Sequence, residues 1–216
     1  MIVLCLEAAH GSGKTALINS FANAGFATLD EAFIDMPQYD IHPQSMVMES
    51  VWLSNWFTRL LTLKSQIENH ENKIYIADRS PLSAVFYAAN GYMLEPIIRN
   101  QIEELARLAD IHIYTLHIHV DKDVLWTRIC DRLKIEPFRK NFNEHSYEWM
   151  LKTYNWYHNQ KWDFEIDNTP NTGTDAIMNE LLTDNELNEE FAKSMTEISD
   201  GKTAFELLRS EAQGQK

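Results

Sequence analysis

Short apolar runs alternate along this chain with longer stretches in which apolar residues recur every three or four positions. The apolar runs predict strands at Ile2–Leu6, Ala27–Leu29, Ile74–Ala77, His112–Val120 and Phe164–Ile166. The helical patterns cover Lys14–Ala24, Ser45–Asn69, Ser83–Ala89, Glu95–Leu108, Lys122–Leu133, His145–Gln160 and Asp175–Leu182. Strands that alternate with helices require right-handed crossovers. The pattern therefore predicts an α/β fold of three layers, with a five-stranded parallel sheet between helices on both faces.

The last part of the chain has a different composition. Residues 183–216 contain eight acidic and four basic residues, and their apolar residues show only a weak helical spacing. We therefore predict one domain over residues 1–182, followed by an acidic helical extension over 183–216. An interaction tail is the alternative.

The overall charge argues against some classes of partner. The formal net charge is −13, which disfavours a general binder of nucleic acid or of anionic membranes. Cys5 and Cys130 lack the spacing of a metal site, which indicates a reducing compartment. No apolar run approaches the length of a membrane span, and the first residues do not resemble a signal peptide. We expect a cytoplasmic protein without a membrane or nucleic-acid partner.

A glycine-rich turn directly follows the first strand. Its sequence, Glu7-Ala-Ala-His-Gly-Ser-Gly-Lys-Thr15, precedes a predicted helix, which is the context of a P-loop. In such a loop, backbone N–H groups and the helix N-terminus bind phosphate. The predicted nucleotide-binding residues are Ala9, His10, Gly11, Ser12, Gly13, Lys14 and Thr15, with Lys14 on the terminal phosphates and Thr15 on Mg²⁺. Ala8 replaces the usual opening glycine and would make a positive φ costly there. A tight turn with a surface lysine is the alternative.

Charged residues follow two of the other strands. Asp78 and Arg79 come after the third apolar run, and Glu31 comes after the second. Ligands of open α/β sheets lie at the carboxyl ends of the strands. Asp78 is thus a candidate Mg²⁺ ligand, Arg79 a candidate phosphate contact and Glu31 a candidate base for a substrate hydroxyl. Alternatively, Asp78 caps the next turn and pairs with Arg79, and Glu31 is an ordinary loop acid.

The long second helix and the region after the fourth strand supply further candidates. Trp52, Asn55, Trp56 and Arg59 share one predicted helix face, suited to an aromatic base and an anion, while Leu53, Phe57 and Leu60 define a core face. Tryptophans in the core are the alternative. The region after the fourth strand contains three arginines, Arg128, Arg132 and Arg139. Pro137 interrupts the helix between Arg132 and Arg139, which is typical of a hinged lid. A solvated charged helix is the alternative to that lid.

Two histidines, His117 and His119, alternate along the fourth predicted strand. They share one face of that strand, but no third ligand is evident in the sequence. A metal site at this position is therefore not favoured.

Taken together, these residues resemble the deoxyribonucleoside kinase and thymidylate kinase branch of the P-loop kinases. The resemblance spans about residues 1–182 and is carried by Glu7–Thr15, Glu31, Arg59, Asp78-Arg79-Ser80, Arg128–Arg132 and Tyr147–Tyr157. Glu31 matches the nucleoside kinases, but Trp52 and Ala84 stand where those enzymes carry a base-reading glutamine and aspartate. Ser83 and Tyr87 match the thymidylate kinases, but Ser80 replaces their tyrosine and their arginine after the second strand is missing.

The resemblance implies ATP-dependent phosphoryl transfer to a deoxynucleoside or a nucleoside monophosphate. ATP and Mg²⁺ are the expected cofactors, with Thr15 and Asp78 on the metal. The expected catalytic residues are Lys14, Glu31, Asp78, Arg79, Arg128 and Arg132, and the expected substrate contacts are Trp52, Asn55, Trp56, Phe57, Arg59 and Tyr87. The long helices could form a homodimer face. A nucleotide-binding sensor and a kinase of another small molecule are the alternatives.

Overall fold

The computed structural model describes residues 1–31, 39–67 and 74–170. The strands are β1 (Ile2–Glu7), β2 (Ala27–Leu29), β3 (Ile74–Asp78), β4 (His112–His119) and β5 (Phe164–Asp167). They form one five-stranded sheet in the order β2-β3-β1-β4-β5, and every pair of neighbours is parallel. β1 is therefore the central strand, so its carboxyl end lies in the middle of the sheet edge where parallel strands end.

The helices connect these strands as the alternating pattern requires. They are α1 (Lys14–Asn23), α2 (Met46–Ser65), α3 (Ser83–Tyr87), α4 (Glu95–Ala109), α5 (Lys122–Ile135) and α6 (Tyr147–Asn159). Short 3-10 helices cover Gly91–Met93 and Pro137–Phe142. Serine side chains cap two of the helices: Ser45 accepts from Met48 N–H before α2, and Ser146 accepts from Trp149 N–H before α6.

Two apolar clusters lie on opposite faces of the sheet. Val3 and Cys5 of β1 pack with α2, α3 and α4, whereas Leu4 and Leu6 pack with α1. Because successive side chains of a strand point to opposite faces, this alternation places one helix layer on each side. The structure confirms the predicted α/β class, the five parallel strands and the three layers. The predicted helix Asp175–Leu182, the boundary at residue 182 and the acidic extension lie outside the described residues.

In α2, both tryptophans lie in the core, which is the alternative that the sequence left open. Trp52, Leu53, Trp56, Phe57 and Leu60 are all buried in the same cluster, against β1 and β3. Residues at these spacings form a single broad apolar stripe, which a helix packed on a sheet requires. Asn55, by contrast, is exposed. Among the described residues, no helix has both the length and the apolar character needed to cross a bilayer.

Candidate functional site

The turn between β1 and α1 has the backbone geometry of a phosphate-binding loop. Gly11 and Gly13 have φ angles of +85° and +96°, which side chains other than hydrogen rarely tolerate. Ser12 closes the turn, because its hydroxyl donates to the carbonyl oxygen of Ala9 at 2.8 Å. Ala8 is not among the described residues with positive φ, and its methyl group packs in the core. Alanine at this position therefore causes no backbone strain.

Lys14 and Asp78 meet at the centre of the site. Asp78 ends β3 in register with Leu6 of β1, and its carboxylate forms an ion pair with the Lys14 ammonium. Burial lowers the pKa of Lys14, and the nearby Arg79 cation lowers it further. Thr15 is exposed in the first turn of α1. The structure therefore brings the predicted phosphate-binding lysine to the carboxylate predicted to hold Mg²⁺.

Arg79 is buried and adopts a strained backbone conformation. Its φ is +73°, which is uncommon for a residue with a side chain. Its Nε atom lies 2.7 Å from a Glu31 carboxylate oxygen, and its Nη1 atom donates to the Tyr157 hydroxyl at 2.8 Å. The guanidinium also stacks on Tyr87, with the central carbon 5.0 Å from the ring centroid. The structure thus unites the predicted residues Arg79, Glu31 and Tyr87.

A buried carboxylate, Glu7, holds the segment that follows Arg79. One of its oxygens accepts hydrogen bonds from the Ser80 backbone N–H at 2.7 Å and the Ser80 hydroxyl at 2.6 Å. The Ser83 hydroxyl donates to the other oxygen at 3.0 Å. Glu7 is fully buried, and its carboxylate therefore ties the end of β1 to the start of α3. The sequence placed Glu7 in the P-loop motif but assigned it no role.

The end of β2 is attached to α2 by two polar contacts. The indole N–H of Trp52 donates to the Glu31 carbonyl oxygen at 3.1 Å, and Arg59 donates to the Asp30 carboxylate at 2.7 Å. Trp52 therefore lies at the site, although its ring is buried. Trp56 and Phe57 are buried in the core below it, and Asn55 points away from that core into solvent. Their predicted contacts with substrate remain predictions.

A second buried carboxylate, Glu49, lies in the first turn of α2. It is 2% exposed, and its Oε1 atom makes no hydrogen bond within the described part of the chain. Burial and, to a smaller extent, the Glu31 carboxylate raise the pKa of Glu49 to about 7, against the opposing effect of Arg79. Sequence reasoning missed Glu49, because a glutamate early in a helix is ordinarily a solvated residue that favours the helix dipole.

His10 of the P-loop connects the loop to the segment between α5 and α6. Its Nδ1 atom lies 3.4 Å from a carboxylate oxygen of Glu144, which is buried, and its Nε2 atom lies 3.4 Å from the Tyr87 hydroxyl. Burial first, and then the surrounding cations with Arg79 foremost, lower the pKa of His10 to about 3. His10 is therefore a neutral imidazole at the centre of the site.

The segment predicted to be a lid carries its own ion-pair network. Arg139 donates to Glu144 at 3.0 Å and also pairs with Glu136, which accepts from Arg132 at 3.2 Å. α5 ends at Ile135, two residues before Pro137, as predicted for an interruption by proline. The network joins the end of α5, the 3-10 helix and, through Glu144, the P-loop.

Arg128 lies on the other side of the P-loop. Its Nη2 atom donates to the carbonyl oxygens of Asn168 and Thr169, at 2.8 Å and 3.3 Å, rather than pointing at the centre of the site. Asn168 is buried and donates to the Ser12 carbonyl oxygen at 2.8 Å. Sequence reasoning assigned no role to Asn168, because its link to the P-loop depends on the pairing of β4 with β5. The predicted catalytic role of Arg128 remains a prediction.

The paired histidines do not form a metal centre. The His117 Nδ1 atom lies 2.6 Å from a Glu165 oxygen, and His119 lies near Asp121 at 3.6 Å. Within residues 1–31, 39–67 and 74–170, no cluster of three or more histidine, cysteine, aspartate or glutamate residues has the geometry of a metal site.

Comparison with known proteins identifies the family. The model of the AAA domain family matches residues 4–165, well over half of the 216 residues. No curated protein matches the chain. A gluconokinase from Sinorhizobium meliloti 1021 is among the similar solved structures, with 13% sequence identity and a TM-score of 0.44 over 82% of this chain and 87% of the gluconokinase. With its P-loop on the central strand of a parallel sheet, this chain belongs to the AAA domain family.

Proposed function

We propose that this protein is a kinase that transfers a phosphoryl group from ATP to a nucleoside or a nucleoside monophosphate. The observation that carries the proposal is the convergence of Lys14, Asp78, Arg79 and Glu31 at the carboxyl ends of β1, β3 and β2. An NTP-binding loop alone needs only the lysine. An arginine and a second carboxylate beside it supply the charge stabilisation and the proton acceptor that transfer to a hydroxyl group uses.

The residues of the loop fit a nucleotide triphosphate with Mg²⁺. A Cβ atom on Gly11 would lie 2.8 Å from Ile129 Cγ1, and one on Gly13 would lie 2.8 Å from Asn168 Nδ2. The two glycines therefore allow these side chains to pack closely against the loop. The backbone N–H groups of residues 9–14 and the Lys14 ammonium would hold the phosphates. The hard oxygen ligands available for Mg²⁺ are the Thr15 hydroxyl and the Asp78 carboxylate.

The positions of the side chains indicate which part of the site would hold ATP and which part would hold the acceptor. Lys14 reaches toward Asp78 on β3, whereas Asn168 and Arg128 lie after β5 and on α5, at the opposite side of the sheet. Because the P-loop lysine contacts the terminal phosphates, those phosphates lie on the β3 side. We therefore place the base of ATP near Asn168 and the acceptor near Glu31, Arg79 and Trp52.

In this arrangement, each residue has one chemical task. Mg-ATP supplies the phosphoryl group and neutralises part of its charge. An oxygen of the acceptor forms the new bond to phosphorus as the bond to ADP breaks, and Glu31 takes the proton from a hydroxyl acceptor. Arg79, with Arg132 of the lid segment, stabilises the charge on the transferring group. The Glu31–Arg79 ion pair keeps the base and this cation together.

The direct test is ADP release from Mg-ATP in the presence of each deoxynucleoside and each deoxynucleoside monophosphate. We expect turnover with at least one acceptor, a loss of about a thousandfold or more in Lys14→Ala, and a loss of about a hundredfold or more in Glu31→Gln. Lys64→Ala is the matched control, because Lys64 is outside the site and pairs with Asp110. Full activity of Lys14→Ala would exclude the proposal. ATP binding without acceptor-dependent ADP release would indicate a nucleotide sensor.

A further inference from the structure

Glu49 is the one buried side chain of the acceptor side for which the described residues supply no function. The residue is 2% exposed, and among those residues no donor reaches its Oε1 atom. A buried carboxylate oxygen without a partner is costly, and native proteins contain few of them. A glutamine, or an apolar residue of similar size, would cost less at this position. A hydrogen bond donated by a bound ligand would explain the presence of Glu49.

The location of Glu49 indicates what that interaction is with. Glu49, Trp52 and Trp56 are spaced by three and four residues, so they lie on the same side of α2. Trp52 donates to the Glu31 carbonyl oxygen, and Glu49 interacts electrostatically with Glu31 and Arg79. Glu49 thus lies beside the two residues that we assign to phosphoryl transfer, on the side opposite Asn168 and Arg128.

The charges of this region already balance without Glu49. Lys14 pairs with Asp78, Arg79 pairs with Glu31, and Arg59 pairs with Asp30. Each of these cations therefore has a carboxylate within contact. His10 adds no charge, since burial lowers its pKa to about 3.

Two acids, Glu7 and Glu49, lie outside these three ion pairs. Glu7 is satisfied by the donors of Ser80 and Ser83, which leaves the Glu49 carboxyl group as the available hydrogen-bonding group. The acceptor side therefore offers a carboxyl oxygen that can accept a hydrogen bond and that no cation neutralises by direct contact in the described part of the chain. Such a surface favours an O–H or N–H group and disfavours a phosphate dianion.

We infer that Glu49 binds the acceptor, and that this acceptor is a neutral nucleoside whose hydroxyl or ring N–H donates to the Glu49 carboxyl group, rather than a nucleoside monophosphate. The inference rests on the proposed function, because it names the class of acceptor used at the same site. It assigns Glu49 a role in affinity and specificity, whereas Glu31 takes the proton.

The experiment compares thymidine, deoxycytidine, deoxyadenosine and deoxyguanosine with their 5′-monophosphates. Each is tested for turnover with Mg-ATP, and for direct binding by calorimetry, in the wild type, in Glu49→Gln and in Glu148→Gln. Glu148 is the matched control, because it is also a glutamate in the first turn of a helix but is exposed. The KM for ATP reports whether the nucleotide side of the site is intact.

We expect the wild type to bind and phosphorylate a nucleoside in preference to the monophosphate. In Glu49→Gln, the KM and the Kd for the nucleoside should rise about tenfold, since the amide oxygen of glutamine is a weaker hydrogen-bond acceptor than a carboxylate. The KM for ATP should not change, and Glu148→Gln should behave as the wild type. If Glu49→Gln does not fold, Glu49→Asp, which keeps the carboxylate but withdraws it, should show the same selective increase.

Three outcomes would overturn the inference. One is a folded Glu49→Gln with unchanged nucleoside KM and Kd, and another is a wild type that accepts monophosphates only. In both cases the protein is still a kinase, so the proposed function stands. The third is a wild type that binds ATP but neither binds nor phosphorylates any of these acceptors, which would remove the proposed function as well. A nucleoside that binds through Glu49 without being phosphorylated would support the role of Glu49 in binding and contradict only the kinase activity.

Discussion

At the scale of single residues, Glu7 determines where the charged side chains of the candidate site lie. It is buried and accepts hydrogen bonds from the Ser80 N–H, the Ser80 hydroxyl and the Ser83 hydroxyl, directly after Arg79, whose φ of +73° is strained. A positive φ at such a residue costs about 1–3 kcal/mol and persists only where neighbouring contacts over-determine it. Glu7 therefore positions Arg79 and Asp78 through the backbone.

Replacing Glu7 with glutamine tests this role. The amide group presents a donor in place of one acceptor oxygen, so a single oxygen remains for the donors of Ser80 and Ser83. We expect the free energy of unfolding to fall by about 1–3 kcal/mol in urea titrations, and kcat to fall by more than the KM for ATP changes. The same substitution at exposed Glu148 is the control, with an expected change within about 0.5 kcal/mol. An unchanged kcat in Glu7→Gln would contradict a positioning role.

Two titratable residues of the site, His10 and Glu49, should change the free energy of unfolding in opposite directions over the same range of pH. The pKa of His10 is lowered from 6.5 to about 3, by burial and then by Arg79 and Lys14, so its contribution is lost as the pH falls below 6.5. The pKa of Glu49 is raised from 4.5 to about 7, by burial and then by Glu31, so its contribution is present at low pH and lost as the pH rises from 4.5 to 7. In the wild type, the two effects oppose each other.

Single substitutions should separate the two effects. Relative to the wild type, we expect Glu49→Gln to gain about 1–2 kcal/mol of unfolding free energy between pH 5 and pH 7, and His10→Asn to gain about 1 kcal/mol as the pH falls from 7 to 5. The smaller value for His10 reflects its side chain, which is 21% exposed and partly screened by water. Urea unfolding at pH 5, 6 and 7 measures both. Parallel pH profiles for all three proteins would contradict these assignments.

A residue could be assigned a role from the sequence when neighbouring residues in the chain define that role. Lys14, Asp78, Arg79 and Glu31 were recognisable, because each follows a strand or lies in a motif of fixed spacing. Glu7, Glu49 and Asn168 were not assigned roles. Their partners are distant in the chain, and for Asn168 the separation from Ser12 is 156 residues. Only the packing of α2 on the sheet, and of β5 beside β4, gives these residues their environment.

At the scale of elements, the segment between α5 and α6 is attached to the P-loop by one buried carboxylate. Glu144 contacts Arg139 at 3.0 Å and His10 at 3.4 Å, so it links the segment after the 3-10 helix to the phosphate-binding loop. The 3-10 helix itself contains no buried residue, and Phe138 and Phe142 are exposed. Few apolar contacts therefore hold this segment down, and the ion pairs supply most of the restraint.

Removing that link should open the segment. In Glu144→Gln, we expect the backbone amides of residues 136–144 to exchange with deuterium about tenfold faster or more, since the charge-assisted contacts with Arg139 are lost. Lys134→Ala is the control, because Lys134 pairs with Asp131 at the exposed end of α5 and does not contact the P-loop. Hydrogen exchange measured by mass spectrometry compares the two variants. Equal protection in both would show that packing, and not Glu144, restrains the segment.

The bounds of the elements show why the periodicity of the sequence was sufficient for most of the fold. All five predicted strands are present within one residue at each end, because buried parallel strands are short apolar runs that turn residues interrupt. For α2, the sequence left open whether the tryptophans face a ligand or the core, because the chemistry of the side chains suits both. Trp52, Trp56, Phe57 and Leu60 form the stripe that packs on the sheet.

At the scale of the whole molecule, the nucleotide site draws on strands from both halves of the sheet. The P-loop follows the central strand β1, Asp78 ends β3 on one side, and Asn168 follows β5 on the other side and donates to the Ser12 carbonyl oxygen. A ligand that binds this loop contacts residues that are assembled only in the folded sheet. Binding of Mg-ATP should therefore stabilise the entire fold and not only one element.

Thermal unfolding with a non-hydrolysable ATP analogue and Mg²⁺ tests this coupling without any acceptor. At an analogue concentration about a hundred times its Kd, stability rises by about 2.7 kcal/mol, which corresponds to an increase in Tm of about 5–10 °C for a domain of this size. Lys14→Ala should lose most of this increase, because the phosphates lose their cation, whereas Lys64→Ala should keep it, since Lys64 pairs with Asp110 outside the site. Equal increases in the two variants would show that the stabilising ligand binds elsewhere, and the proposal for the P-loop would then fail.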